Sequence, residues 1–313
     1  MPTLPIDELT ALEKLRDSSV IVYCAHELIG KMMYSDDVPI IYECLKKMGR
    51  RKRLDLILNT DGGFLTSARR IALLLREYAD QLNILVPYRA RSAGTLLCLS
   101  ANELILGPLA ELSPIDPIIR AGKKSVQDSP DDISSEDIRA FRTMAEEWFD
   151  LHSEENRMQV FALLSQRFFP TTLSSFFRAD KYIRKIGVEL LQNQLPKATV
   201  DQRAQIIDQL ISNYTEHLHG FTRTEVQQLG LQARFASSQE EPLLHEIWRR
   251  CNQYMNEQRS DKNDLKTSLR AVLFSQNYSA HYIAGQASRK AGEEEFEKIP
   301  IRIKYGSGEW VVI

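Results

Sequence analysis

Three short apolar runs, Ser19–Cys24 (SVIVYC), Leu54–Leu58 (LDLIL) and Leu82–Val86, recur at near-regular intervals in the first third of the chain. Each is too short for a helix and is bounded by turn residues, so each reads as a buried strand. Between them lie stretches with apolar residues at helical spacing. One is Val38–Met48, with Ser35, Asp36 and Asp37 ahead of it as cap and first-turn acids. The other is Ser67–Tyr78, with Ala68, Ile71, Leu74 and Leu75 on one face. Glu103–Leu106 is a fourth short strand, followed by the proline-rich Gly107–Pro117. Strand–helix alternation at this pace argues for parallel βαβ units and an α/β fold. Their crossovers are right-handed, and ligands sit at the carboxyl ends of the strands.

Two small-residue turns lie at such strand ends. After the second strand comes Asn59-Thr60-Asp61-Gly62-Gly63, and after the third comes Ala90-Arg91-Ser92-Ala93-Gly94-Thr95. Ser92, between a strand and an apolar helix, admits two readings. It is a helix N-cap, which needs no chemistry. Or it is a nucleophile beside backbone N–H groups that hold an oxyanion. The glycine pair is an ordinary tight turn or a place where the backbone meets a ligand closely. Asp61 precedes the pair and receives no catalytic role.

Composition bounds the rest. With 313 residues and 43% hydrophobic content, the chain can build one large α/β core with additions, or two domains. A net charge of −2 supplies no global field toward nucleic acid. The basic cluster Arg50–Arg53 precedes a strand and reads as a solvated loop. No apolar stretch is long enough to span a bilayer, and the acidic, amphipathic N-terminus is unlike a signal peptide. Cys24, Cys44, Cys98 and Cys251 are scattered without metal spacing, which fits free thiols in a reducing cytoplasm. There is no H-E-x-x-H, Walker loop or dinucleotide fingerprint, so neither metal nor cofactor is expected.

Beyond residue 120 the character changes. Gly122–Asp132 is a polar loop. Ser134 or Ser135 caps a helix with Ile138, Phe141, Ala145, Trp148 and Phe149 on one face. Residues 157–215 are mostly helical, and the spacing over Val200–Leu218 places His217 and His219 where a helix ends. Thr222-Arg223-Thr224-Glu225 is a capping box before a short helix that Gly230 terminates. Residues 240–290 continue as helices, and Ile299–Ile313 forms a hairpin around Gly306-Ser307-Gly308.

The order strand, N-T-D-G-G, helix, strand, R-S-A-G-T-L-L-C-L-S-A-N-E-L-I-L-G-P resembles the Clp-protease/crotonase superfamily. Within it the chain is similar to the signal peptide peptidase A group, and more so to the serine dehydrogenase proteinases. That closer likeness rests on S-A-G-T-L, on A-E-L-S-P-I-D-P (Ala110–Pro117) and on the segment His217–Leu231. The resemblance implies a Clp-like spiral of βαβ units with a mostly helical C-terminal half. It divides the chain into a peptidase domain over 1–235, with a helical insertion at about 134–215, and a helical extension over 236–313 ending in a hairpin. Carried over by position, Ser92 is the nucleophile, and Gly63 and Ala93 supply the oxyanion-hole N–H groups. The resemblance also implies a peptide or unfolded-protein substrate and a homo-oligomer.

The base does not carry over. Clp peptidases place a histidine in the turn that here reads Ser113-Pro114-Ile115-Asp116-Pro117, and the lysine of signal peptide peptidases has no counterpart in the window 132–144. An exchange of positions, with Asp116 in the histidine loop and His219 in the aspartate loop, is compatible with a triad, which is set by geometry and not by order. His217 is the second histidine candidate. Lys123 or Lys124 in a Ser–Lys dyad is the rival, although a solvated lysine would need burial to act as base. Two further alternatives are acyl-thioester chemistry of the crotonase type and a non-catalytic oligomeric scaffold.

Overall fold

The computed structural model describes residues 3–26, 31–115, 118–120, 132–168, 170–212, 219–257, 268–284 and 308–313. Its centre is an eight-stranded sheet. The N-terminal helix α1 (Ile6–Arg16) leads into β1 (Ser19–Ala25). Then come α2 (Asp37–Met48), β2 (Arg51–Asn59), α3 (Leu65–Glu77), β3 (Ala79–Val86), the two-residue β4 (Arg89–Ala90), α4 (Ala93–Cys98) and β5 (Glu103–Leu106). The βαβ expectation holds: β1, β2, β3 and β5 are mutually parallel in the order β5-β3-β2-β1.

Alternation along these strands fills two cores. Ile21, Tyr23, Leu54, Leu56, Leu58, Ile84 and Leu104 face α2, α3 and α4, while Val20, Val22, Ile57, Leu85 and Ile105 face the opposite side. A parallel sheet with both faces covered needs this continuous apolar run.

The chain continues through β6 (Glu111–Leu112), β7 (Ile118–Arg120) and β8 (Asp132–Ser134) into a helical region. Here lie α5 (Ser135–Phe149), α6 (Glu154–Arg167), α7 (Pro170–Gln194) and α8 (Val200–Ser212). Buried Ile183, Ile186, Leu190, Ile207 and Leu210 bring α7 and α8 onto the first core. Of the face expected on α5, Ala145 is buried, but Trp148 and Phe149 are 76% and 60% exposed. Next come β9 (Phe221–Thr222), α9 (Arg223–Gln228), β10 (Ala233–Phe235) and α10 (Glu240–Glu257), and β10 adds a further parallel strand beside β5. The capping box forms as expected, and Gly230 takes φ +85° after α9. α10 packs with α1 over the second core through Leu244, Ile247, Cys251 and Met255.

The expectation of continued helix to residue 290 is overturned. Residues 268–284 form β11 (Ser268–Ser275) and β12 (Tyr278–Ala284), joined by the two-residue turn Gln276-Asn277. β11 pairs antiparallel with β1, so the chain's late strands extend the sheet built by its first residues. β13 (Gly308–Val312) then lies antiparallel to β12. The rest of the expected tail hairpin, with Gly306 and Ser307, falls outside the described residues. All four cysteines are buried and free. Arg51–Arg53 opens β2 instead of a loop, with Arg50 and Asp80 paired on the surface. Among the described residues no helix is long and apolar enough to cross a membrane.

Candidate active site

The two small-residue turns meet because β4 hydrogen-bonds to the end of β2. Thr60 N–H donates to Arg89 O at 3.0 Å, and Arg91 N–H donates to Thr60 O at 3.1 Å. Ser92 is the next residue. It occupies the N-cap position of α4, yet its side chain makes no capping hydrogen bond, and its backbone sits at φ +49°, ψ −110°. An ordinary N-cap is extended and lends its oxygen to the first turn. Ser92 does neither, although its carbonyl accepts from Leu96 N–H at 3.0 Å.

A positive φ on serine costs on the order of 1–3 kcal/mol and persists only where the surroundings impose it. Here Ser92 N–H donates to Ser113 Oγ at 2.8 Å. Thr95 Oγ1 lies 2.9 Å from the carbonyls of both Ala90 and Ser113. The same hydroxyl accepts from Ser113 N–H at 3.1 Å. The Leu112–Pro114 turn therefore clamps the serine turn from one side, and Gly62 packs on it from the other. A Cβ at Gly62, itself at φ +110°, would stand 2.8 Å from Arg91 O and 3.0 Å from Ser92 Cβ.

Gly63, at φ +150°, is pressed against Met33, where a Cβ would fall 2.3 Å from the Met33 carbonyl oxygen. Met33 N–H donates to Gly62 O at 2.8 Å and Phe64 N–H to Met33 O at 2.9 Å. These bonds pass over Gly63 N–H. Neither it nor Ala93 N–H donates to an acceptor among the described residues. The neighbouring charges are paired: Arg91 Nε donates to Glu111 at 2.7 Å, and Arg89 bonds Asp61 at 2.8 Å. Burial pushes the Asp61 carboxyl up, against the pull of Arg89 and Arg91.

A three-stranded sheet, β4-β6-β9, brings in His219. β4 and β6 are parallel, while β9 runs antiparallel to β6 with Leu112 opposite Phe221. The carboxyl ends of β4 and β6 and the amino end of β9 therefore coincide. Ser92, Ser113 and the pair His219-Gly220 lie at that one end. Two strand spacings, about 9.5 Å, separate the strands that lead to Ser92 and His219. The His219 ring is half-buried and meets Phe221 edge-on at 5.2 Å, and its Nε2 lies 4.0 Å from Glu225 Oε1. Asp116, His217, Lys123 and Lys124 lie outside the described residues.

Sequence reasoning missed three supports of this site. Ser113 was visible only as part of a string, with nothing to say that its hydroxyl would hold Ser92. Glu225 was legible as a capping residue and not as a neighbour of His219. The third is Lys31, whose buried ammonium reaches Asp36 at 3.0 Å and Asp37 at 2.6 Å and faces the rings of Tyr34, Tyr282 and Trp310. Trp310 Nε1 also donates to Asp37 at 2.9 Å, so β13 helps fix the segment seated on Gly63.

Residues 9–138 match the model of a family described as ClpP-like SDH-type serine proteinase. Two uncharacterized proteins of Methanocaldococcus jannaschii are similar to the chain. One is 30% identical over 141 residues, covering 40% of this chain and 49% of the relative. The other is 32% identical over 91 residues, covering 29% and 31%. The chain thus spans less than half the length of these curated relatives. Among solved structures it is similar to two mutants of the 1510-N membrane-bound stomatin-specific protease. One, in complex with a substrate peptide, has 16% identity and a TM-score of 0.39, covering 71% of this chain and 78% of the other. The second has 15% identity and a TM-score of 0.40, covering 75% and 86%.

Proposed function

We propose, for a chain whose residues 9–138 match a serine-proteinase family, that it is a serine peptidase with Ser92 as nucleophile. Ser92 Oγ attacks the scissile carbonyl carbon, and the oxyanion is held by Gly63 N–H and Ala93 N–H. His219 takes the serine proton and returns it to the leaving amine as the C–N bond breaks. Water then hydrolyses the acyl-enzyme by the same route in reverse. Asp116 is the proposed partner that steadies the base. The substrate is an extended peptide or unfolded segment, pairing its backbone with the strand ends beside the site. A homo-oligomer in the cytoplasm is the setting that the family resemblance suggests.

One observation carries this reading. A serine held at φ +49° without a capping bond stands beside two backbone N–H groups that have no acceptor among the described residues. A strained strand-to-helix turn of this kind exposes a nucleophile. The test is fluorophosphonate labelling of the purified protein. Wild type should label, Ser92→Ala should not, and His219→Ala and Asp116→Ala should be strongly impaired. Normal labelling of His219→Ala with loss in Lys124→Ala would replace the triad with a Ser–Lys dyad. A folded wild type that never labels would move the non-catalytic scaffold ahead.

A further inference from the structure

We infer that Glu225 is a positioning residue for His219. The inference rests on the proposal that His219 is the general base. Glu225 is fixed by its own helix. Its Oε2 accepts from Thr222 N–H at 2.8 Å and from Thr222 Oγ1 at 2.7 Å, while its backbone N–H donates to Thr222 Oγ1 at 3.4 Å. That reciprocal box uses one carboxylate oxygen. The other, Oε1, is turned toward His219 Nε2 at 4.0 Å. This is ion-pair distance, and such pairs commonly tighten when substrate is bound. The Thr222 bonds, with a further contribution from His219, hold the Glu225 carboxyl below the usual range. The charge that faces the imidazole is therefore permanent at neutral pH.

A fixed carboxylate does two things for a histidine. It favours the tautomer that carries a proton on the facing nitrogen, which leaves the other ring nitrogen to accept the serine proton. It also stabilises the imidazolium that forms when the proton arrives. Asp116 lies outside the described residues, and among those described the other carboxylate that the fold brings alongside does not offer this. Glu111, brought alongside by β6, bonds to Arg91, so its charge is already neutralised. In sequence the arrangement is compact, with His219 three residues before the capping threonine and Glu225 three residues after it.

Capping boxes accept glutamine as well as glutamate, so Glu225→Gln removes the charge and keeps the helix start. The measurement is the second-order rate of fluorophosphonate labelling of Ser92 against pH in the full chain. Glu225→Gln should fall roughly tenfold or more, with the rising limb of the profile moved to lower pH because the imidazolium has lost its counter-charge. Glu225→Asp should recover part of the rate. Thr222→Ala, which breaks the box but keeps the charge, should leave the midpoint in place. A wild-type rate and profile in folded Glu225→Gln overturns the inference. So does an equal rate loss in Thr222→Ala and Glu225→Gln with no change in midpoint, since capping alone would then explain it. If His219→Ala labels normally, the reading of His219 as base falls with it. If His219→Ala is inactive and Glu225→Gln is unaffected, only the role of Glu225 falls.

Discussion

The two ends of one parallel sheet are built on opposite rules. Toward the amino end, a cluster of buried charges is fully partnered. Arg16, at the close of α1, bonds both Asp55 on β2 and Glu240 at the start of α10. Asp55 also accepts from Ser18 Oγ and from Asn83 Nδ2 on the neighbouring strand, both at 2.7 Å. Glu240 is gripped by Arg234 at 2.6 Å and by Ser237 N–H at 2.8 Å. At the carboxyl end, two glycines and a serine take positive φ, which is strained for the serine alone. There Gly63 and Ala93 keep N–H groups that meet no acceptor among the described residues. One end satisfies its polar groups and the other withholds them. The second arrangement costs stability, and a ligand that supplied an acceptor to those N–H groups would offset that cost.

The largest expected effect sharpens this contrast. Ser92→Gly should reduce fluorophosphonate labelling to background and at the same time raise stability by about 1 kcal/mol, because glycine accepts φ +49° without strain. Labelling and a denaturant midpoint measured on the same sample check both halves. A loss of stability would mean that the serine earns its conformation structurally, and the contrast between the two ends would break. The reverse pattern belongs to Asp55→Ala. Removing that carboxylate leaves Arg16 buried with half its partners gone, which should cost about 3–5 kcal/mol. Labelling per folded molecule should be unchanged, since the Asp55 and Ser92 ends of the sheet share no partner. Reduced labelling in the folded fraction would show that the two ends are coupled.

Legibility in the sequence divides along similar lines. Strands β1, β2, β3 and β5 and helices α2 and α3 were readable because each satisfies its own period and its own turn chemistry. Ser92, Gly63 and Ala93 were readable as places, since small residues at strand ends are informative wherever they occur. Whether Ser92 caps or reacts was not readable, because the same tripeptide serves both. What holds its backbone away from ordinary cap geometry is Ser113 and Gly62, twenty-one residues after and thirty before it. His219 was visible as a residue beside a capping box, but its place at the same sheet end as Ser92 depends on a pairing of two-residue strands, β6 and β9, that no local pattern announces. The hairpin of β11 and β12 was missed for another reason. Ser268–Ala284 is poor in β-branched residues, and only the Gln276-Asn277 turn between two apolar runs signalled it. Its strand character comes from β1, to which it pairs across most of the chain.

Acid should act on the amino end first. Burial opposes ionisation of Glu240, but hydrogen bonds from Arg234, Ser237 and Arg16 override it and hold the carboxyl well below its ordinary value. The unfolded chain then binds the proton more readily than the folded one. Stability from this group is full above about pH 4.3 and is lost as pH falls below it. Glu240→Gln should be less stable than wild type at pH 7 by on the order of 2 kcal/mol. Its stability should also fall less steeply between pH 5 and pH 3. Urea midpoints across that range decide it, and parallel curves for the two proteins would remove Glu240 from the acid response.

The smallest expected effect tests the clamp itself. Ser113 Oγ accepts Ser92 N–H at 2.8 Å and is 1% exposed as a residue, so water has little access to replace it. Ser113→Ala should cost about 1 kcal/mol of stability, far less than Asp55→Ala. Its effect on reactivity should be disproportionate. Without its acceptor, the Ser92 N–H turns the peptide toward an ordinary cap geometry, which moves Oγ away from the Gly63 and Ala93 donors. A labelling rate reduced roughly tenfold or more, with a nearly unchanged denaturant midpoint, would show that Ser113 holds strain for Ser92. Equal and proportionate small losses in both would make it one more satisfied hydrogen bond, and the Gly62 contact would then be left as the feature that fixes the turn.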